Sequence, residues 1–109
     1  MRPYESLRHR ADFARVRRKG RRIEAAHLSI LAAPSGAGRR PRVAFVTAKT
    51  VGGAVERNRA RRRLRAALDG LDLGPGRFDL ILTARPSART AAFAGLREDI
   101  ARALARLSR

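Results

Sequence analysis

Residues 42–65 read RVAFVTAKTVGGAVERNRARRRLR. The first seven, Arg42 to Ala48, are rich in Val, Phe and Thr, with apolar side chains at both odd and even positions. That pattern predicts a strand covered on two faces, hence a central one. Lys49 to Gly53 break the strand, and a helix follows through Leu68. Advancing about 100° per residue gathers Ala60, Leu64, Ala67, Leu68 and Leu71 into one stripe, the face that must be buried. The rest of this helix is almost all cation. Six of the fifteen residues from Ala54 to Leu68 are arginine and one is glutamate. Arg57, Arg61 and Arg65 run along one border of the stripe, Asn58, Arg59 and Arg62 spread over the opposite face, and Arg63 sits at the other border. Like-charge pairs at i,i+4 cost a helix a few tenths of a kcal/mol each. Glu56 suits the N-terminal dipole, but Asp69 opposes the C-terminal one. Phosphates would relieve the repulsion. A strip of arginine along a helix can follow a groove in folded RNA and meet phosphate and 2′-OH groups. Asn58 both donates and accepts, so it suits a ribose or base edge, or its own helix backbone.

The neighbouring segments supply the remaining layers. Ala11 to Gly20 read as a short helix with Phe13 and Val16 on one face. Arg21 to Ala33 read as one or two strands, in which Leu28, Ile30 and Ala32 alternate with His27, Ser29 and Leu31. Pro34 to Arg40 form a turn, and Gly70, Gly74, Pro75 and Gly76 stop the basic helix. Phe78 to Ala84 form another strand. A last helix is expected from about Thr90, with Phe93, Leu96, Ile100, Leu104 and Leu107 inward and Glu98-Asp99 outward. The expected order is α-β-β-β-α-β-α, a single α+β domain over residues 1–109. It is a two-layer sandwich of three helices and a mixed sheet of about four strands, with residues 1–6 a loose tail.

The whole chain carries 26 Lys and Arg against 9 Asp and Glu, a formal charge of +17. Such a field attracts polyanions and opposes self-association, so a monomer is expected before assembly. Only Lys19 and Lys49 are lysine. Arginine's planar fork binds phosphate with two prongs. There is no cysteine, which excludes disulfides, thiolate metal sites and thiol nucleophiles. No run of about 18 apolar residues is present, and no secretory signal is read at the N-terminus, so a cytoplasmic location and no membrane partner are expected. The apolar side of the basic helix holds only Ala and Leu, sufficient for a core but lacking the aromatic anchors of a membrane-surface helix.

The segment Glu56 to Arg65, ERNRARRRLR, resembles the Arg-Asn-Arg signature of the bacterial ribonuclease P protein family. Asp12-Phe13, Val16 and Gly20 precede it in that family's order, Lys49 to Gly53 resemble its Lys-Lys-x-Gly loop, and DLILTARP resembles its last strand. The resemblance runs from about Leu7 to Leu107. It implies an accessory subunit: an RNA subunit carries out Mg²⁺-dependent endonucleolytic removal of the 5′ leader of precursor tRNA, and the protein binds both RNAs. It further implies that Arg57, Asn58, Arg59, Arg61, Arg62 and Arg65 face the RNA subunit. A cleft between the first helix and the sheet would take the leader, at Phe13, Val16, Arg17, His27, Ser29, Leu31 and Lys49. A left-handed crossover around the signature helix is also implied, against the usual right-handed rule. The chain departs from the family's pattern at Arg17 and Leu31, where aromatics are usual, at Thr50, at Val46 to Ala48, and at Arg63, where the family is apolar.

Cleavage chemistry by the protein itself would need a carboxylate-held metal or a pair of histidines. His9 and His27 are not paired by any pattern, and Glu98-Asp99 are the adjacent carboxylates. No catalytic residue and no bound cofactor or metal is therefore assigned to the chain. Gly52-Gly53 read either as an anion-binding nest or as a plain turn. The alternative function is a structural RNA-binding protein of ribosomal type, which the charge alone does not separate from the first.

Overall fold

The computed structural model describes residues 4–35, 40–71, 73 and 78–108. Its elements are β1 (Glu5–Ser6), α1 (Arg10–Lys19), β2 (Arg21–Glu24), β3 (Leu28–Pro34), β4 (Arg42–Thr47), α2 (Ala54–Asp69), β5 (Phe78–Ala84) and α3 (Phe93–Ala105). Single 3-10 turns cover Lys49–Val51, Pro86–Arg89 and Arg106–Ser108. The sheet is mixed, in the order β1-β4-β5-β3-β2. β1, β4 and β5 are parallel neighbours, while β3 runs antiparallel to both β5 and β2. α2 links the adjacent parallel strands β4 and β5.

Strand alternation sorts the core into two sides. Leu28, Ile30 and Ala32 of β3, Val43 of β4, and Leu80, Leu82 and Ala84 of β5 are buried with Ala60, Leu64, Ala67 and Leu68 of α2 and Leu96, Ile100 and Ala103 of α3. The other face holds a smaller cluster, in which Val16 of α1 and Leu7 pack with Ala33, Ala44 and Ile81. The sandwich thus has a full helical cover on one face and a partial one, α1, on the other. Gly20 closes α1 in an extended conformation, its N–H donating to the Val16 carbonyl, and must be glycine because a Cβ there would run into that same oxygen. The chain then turns directly into β2.

Four expectations are revised. The sheet has five strands, because residues 4–6 are not loose: Glu5 and Ser6 pair with Arg42 and Val43, Tyr4 is buried, and its hydroxyl donates to Asp69 Oδ1 at 2.8 Å. Residues 1–3 lie outside the described ones, as does most of the turn expected at Pro34 to Arg40 and of the Gly70 to Gly76 stop. The last helix begins at Phe93, not Thr90, because Pro86 to Arg89 wind a 3-10 turn first. Phe93 is 42% exposed and does not join the core. Asp99 does not face outward. It is 5% exposed and accepts the backbone N–H groups of Ala26 (3.1 Å) and His27 (2.8 Å), which holds the β2–β3 turn to α3.

Candidate nucleic-acid interface

α2 presents the basic surface. Its apolar stripe is fully buried at Ala60, Leu64, Ala67 and Leu68, which fixes the helix's rotation about its axis. Arg57, Asn58, Arg59 and Arg62 are consequently exposed, and Arg61 and Arg65 are half-buried along the border. Among the described residues, no ion pair involves any of these five arginines. Their local interactions order them without neutralising them. Arg61 donates to Asn58 Oδ1. The Arg65 guanidinium lies 5.3 Å from the centroid of the Phe45 ring, within cation–π range. The sixth arginine behaves differently. Arg63 donates to the carbonyls of Ala88, at 2.7 Å, and Ala91, and so stitches α2 to the turn before α3. That resolves why an arginine stands at an otherwise apolar position: its stem is covered and its head satisfies two backbone acceptors.

The second surface lies on the opposite face of the sheet, beside α1, where the resemblance implies a cleft. Strand register places Ser29, Thr83 and Val46 in one row across β3, β5 and β4, and Leu31, Ile81 and Ala44 in the next. α1 covers the second row, with Val16 completely buried against it. Phe13 and Leu31 are half-buried beside that cluster, and the Arg17 guanidinium lies 5.9 Å from the Phe13 ring centroid. Of the residues expected here, Phe13, Arg17 and Leu31 reach this surface, whereas Ser29 is only 7% exposed and Val16 is completely buried. Thr83 and Val46, both half-buried, lie in the same row as Ser29. Their places were legible only through strand register, since β4 and β5 are apolar on both faces.

His27 and Lys49 lie at the end of the sheet where β3 begins and β4 and β5 finish, because Leu28 and Thr47 both pair with Ala84. His27 Nδ1 sits 2.8 Å from Ser87 Oγ. Exposed Lys49 opens the short turn leading to α2. Gly52 in that turn has φ +135°, a value open to glycine and strained for other residues, and Gly53 caps the helix without a side chain.

A buried ionic cluster sets α1 on the sheet. Asp79 of β5 is fully buried and accepts from Arg15 of α1, from the Arg42 guanidinium (3.0 Å) and from the Arg42 backbone N–H (3.2 Å). Arg42 also forks onto Asp12 of α1 at 2.8 and 3.2 Å. The hydrogen bond to Asp79 raises the Arg42 pKa above the ordinary guanidinium value, against an opposing effect of burial, with the Asp79 and Asp12 charges and the Asp12 hydrogen bond adding to the rise. Asp12 and Asp79 are thus taken up by arginine. Among the described residues, no group of three His, Cys, Asp or Glu side chains is placed to hold a metal ion. No described helix is long and apolar enough to cross a membrane.

Known proteins share this architecture. The sequence matches the Ribonuclease P family over residues 1–108. It is 39% identical to the ribonuclease P protein component of Acidothermus cellulolyticus over 104 residues, covering 94% of this chain and 87% of the relative. It is 43% identical to that of Beutenbergia cavernae over 96 residues, covering 86% and 80%. The fold superposes on the ribonuclease P protein from Thermotoga maritima with a TM-score of 0.80 at 24% identity, covering 94% and 96% of the two chains. A mutant ribonuclease P protein of Staphylococcus aureus, described as defective in mRNA degradation, gives 0.81 at 20% identity, covering 94% and 87%. With a family match running from end to end and relatives near 40% identity over most of their length, the chain belongs to the bacterial ribonuclease P protein family.

Proposed function

We propose that this chain is the protein subunit of ribonuclease P, gripping the RNA subunit with α2 and the 5′ leader of precursor tRNA in the cleft beneath α1. The observation that carries the reading is the pair of surfaces on opposite faces of one sheet. One is a strip of arginines with no internal counter-ion among the described residues, suited to phosphates of a folded RNA. The other is partly apolar, with Phe13 and Leu31 half-exposed to meet unpaired bases and Arg17 beside them. A protein so built can hold two RNAs at once and fix their relation.

The hydrolysis belongs to the RNA subunit in this reading, and divalent ions enter through that RNA rather than through a protein cage. Arg57, Arg59, Arg61, Arg62 and Arg65 bind phosphates, Asn58 reaches a ribose or base edge, and Phe13, Arg17, Leu31, His27 and Lys49 meet the leader, with buried Val16 and Ser29 supporting them. The protein is monomeric before assembly and works in the cytoplasm. The test is reconstitution with a folded bacterial ribonuclease P RNA at low Mg²⁺. Leader removal from precursor tRNA should accelerate, or substrate binding tighten. A cognate RNA indifferent to the protein refutes the proposal.

A further inference from the structure

Asp69 stands where a carboxylate is least welcome. It is the last residue of α2, where the helix dipole opposes it. It also follows Arg65 at the i,i+4 spacing at which opposite charges on a helix meet. Yet the two form no ion pair among the described residues. Tyr4 takes the carboxylate instead. Its hydroxyl donates to Asp69 Oδ1 at 2.8 Å, although the two residues lie 65 positions apart. Arg97 of α3, also at this turn, donates to the Gly70 carbonyl at 3.0 Å.

Tyr4 is well held for such a task. It is buried, and the next residue, Glu5, donates its backbone N–H to the Pro41 carbonyl at 2.8 Å as β1 pairs with β4. The Tyr4 ring meets Phe45 of β4 edge-on, with centroids 6.1 Å apart. The other partner of the Phe45 ring is the Arg65 guanidinium, at 5.3 Å. Two touching aromatic rings thus separate opposite charges from one helix end. Phe45 takes the guanidinium, and the Tyr4 hydroxyl takes the carboxylate.

We propose that Tyr4 is a positioning residue for RNA binding: its hydroxyl engages Asp69 and so leaves Arg65 available to a phosphate of the RNA subunit. This rests on the functional reading above. Without the hydroxyl, Asp69 turns to Arg65, and the phosphate must then displace a carboxylate.

The test is equilibrium binding of the full chain to a folded bacterial ribonuclease P RNA across a salt series. Tyr4→Phe keeps the ring on Phe45 and removes only the hydroxyl. It should bind about two- to fivefold more weakly, the range of an exposed ion pair that has to be broken. Its salt dependence should be shallower by up to about 0.7, one phosphate contact. Asp69→Asn keeps an oxygen for Tyr4 and should bind no more weakly than wild type. Tyr4→Phe combined with Asp69→Asn should regain wild-type affinity and slope, because no carboxylate remains to capture Arg65. That rescue separates positioning from a merely structural role, under which the combined variant stays as weak as Tyr4→Phe. In an Arg65→Ala background, Tyr4→Phe should change affinity no further. Wild-type affinity for Tyr4→Phe alone overturns the proposal, as does failure of the Asp69→Asn rescue or an undiminished Tyr4→Phe effect without Arg65. Wild-type protein that binds the RNA with no salt dependence overturns the functional reading itself, whereas the other adverse results leave that reading standing and remove only the role of Tyr4.

Discussion

Replacing Asp79 by alanine should unfasten α1. The carboxylate is fully buried and accepts from Arg15, from the Arg42 guanidinium and from the Arg42 backbone N–H. Without it, Arg42 keeps only Asp12, and its backbone N–H loses its acceptor. Breaking a buried ion pair by deleting one partner costs about 3–5 kcal/mol when the survivor is sealed from water. Here the Arg15 and Arg42 side chains retain 27% and 16% exposure, so water partly compensates. The expected loss is therefore about 2–4 kcal/mol. For a domain of this size that lowers the melting temperature by roughly 10–15 °C. Thermal and urea unfolding followed by circular dichroism measure it, with an unchanged urea m-value showing that the compactness of the end states is preserved. Asp12→Ala, whose partner Arg42 keeps Asp79, should cost about 1 kcal/mol. The two losses should be non-additive, because both carboxylates act on Arg42. A loss under about 1 kcal/mol for Asp79→Ala would mean the cluster is effectively solvated and does not hold α1 to the sheet.

Replacing Arg57, Arg61 and Arg65 by alanine should weaken binding to the RNA subunit and flatten its salt dependence by up to about 0.7–0.9 for each phosphate released; an unchanged slope would show that these side chains miss the phosphates. Arg63→Ala should do the reverse, costing about 1–3 kcal/mol of folding stability through the freed Ala88 and Ala91 carbonyls while leaving the salt slope intact. Phe45→Leu removes the ring under Arg65 at no change in charge, and should weaken RNA-subunit binding by about 0.5–1 kcal/mol without altering the number of phosphates engaged. Gly52→Ala should destabilise by about 1–3 kcal/mol, since φ +135° is strained for any residue with a Cβ; equal stability by urea titration would show that the turn relaxes freely.

Much of the architecture was legible from periodicity. The stripe of Ala60, Leu64, Ala67 and Leu68 defines the helix and its buried side without knowledge of what covers it, and β5 lies at the very residues expected, Phe78 to Ala84. β1 was invisible, because two residues carry no period and the pairing of Glu5 with Arg42 spans 37 positions. The same limit explains Phe93, which keeps helical spacing with Leu96 and Ile100 yet stays 42% exposed, outside the core. Polar anchors were the hardest to read. Asp99 looked like half of an outward acidic pair, yet the β2–β3 turn, 72 and 73 residues away, donates to it.

By itself, then, the order of residues determined which segments coil and which extend, which side of each is apolar, and that one helix face carries uncompensated positive charge. These follow from backbone geometry and from neighbours three or four positions apart. Only the folded chain decided that Arg63 is an internal fastener while Arg57 and Arg62 stay out of ion pairs among the described residues, and that Asp79 gathers Arg15 and Arg42 beneath α1. Those outcomes depend on which strands become neighbours, and chain closure over tens of residues sets that choice. An arginine's spacing along its helix does not reveal whether it will meet a carbonyl from another element or open water.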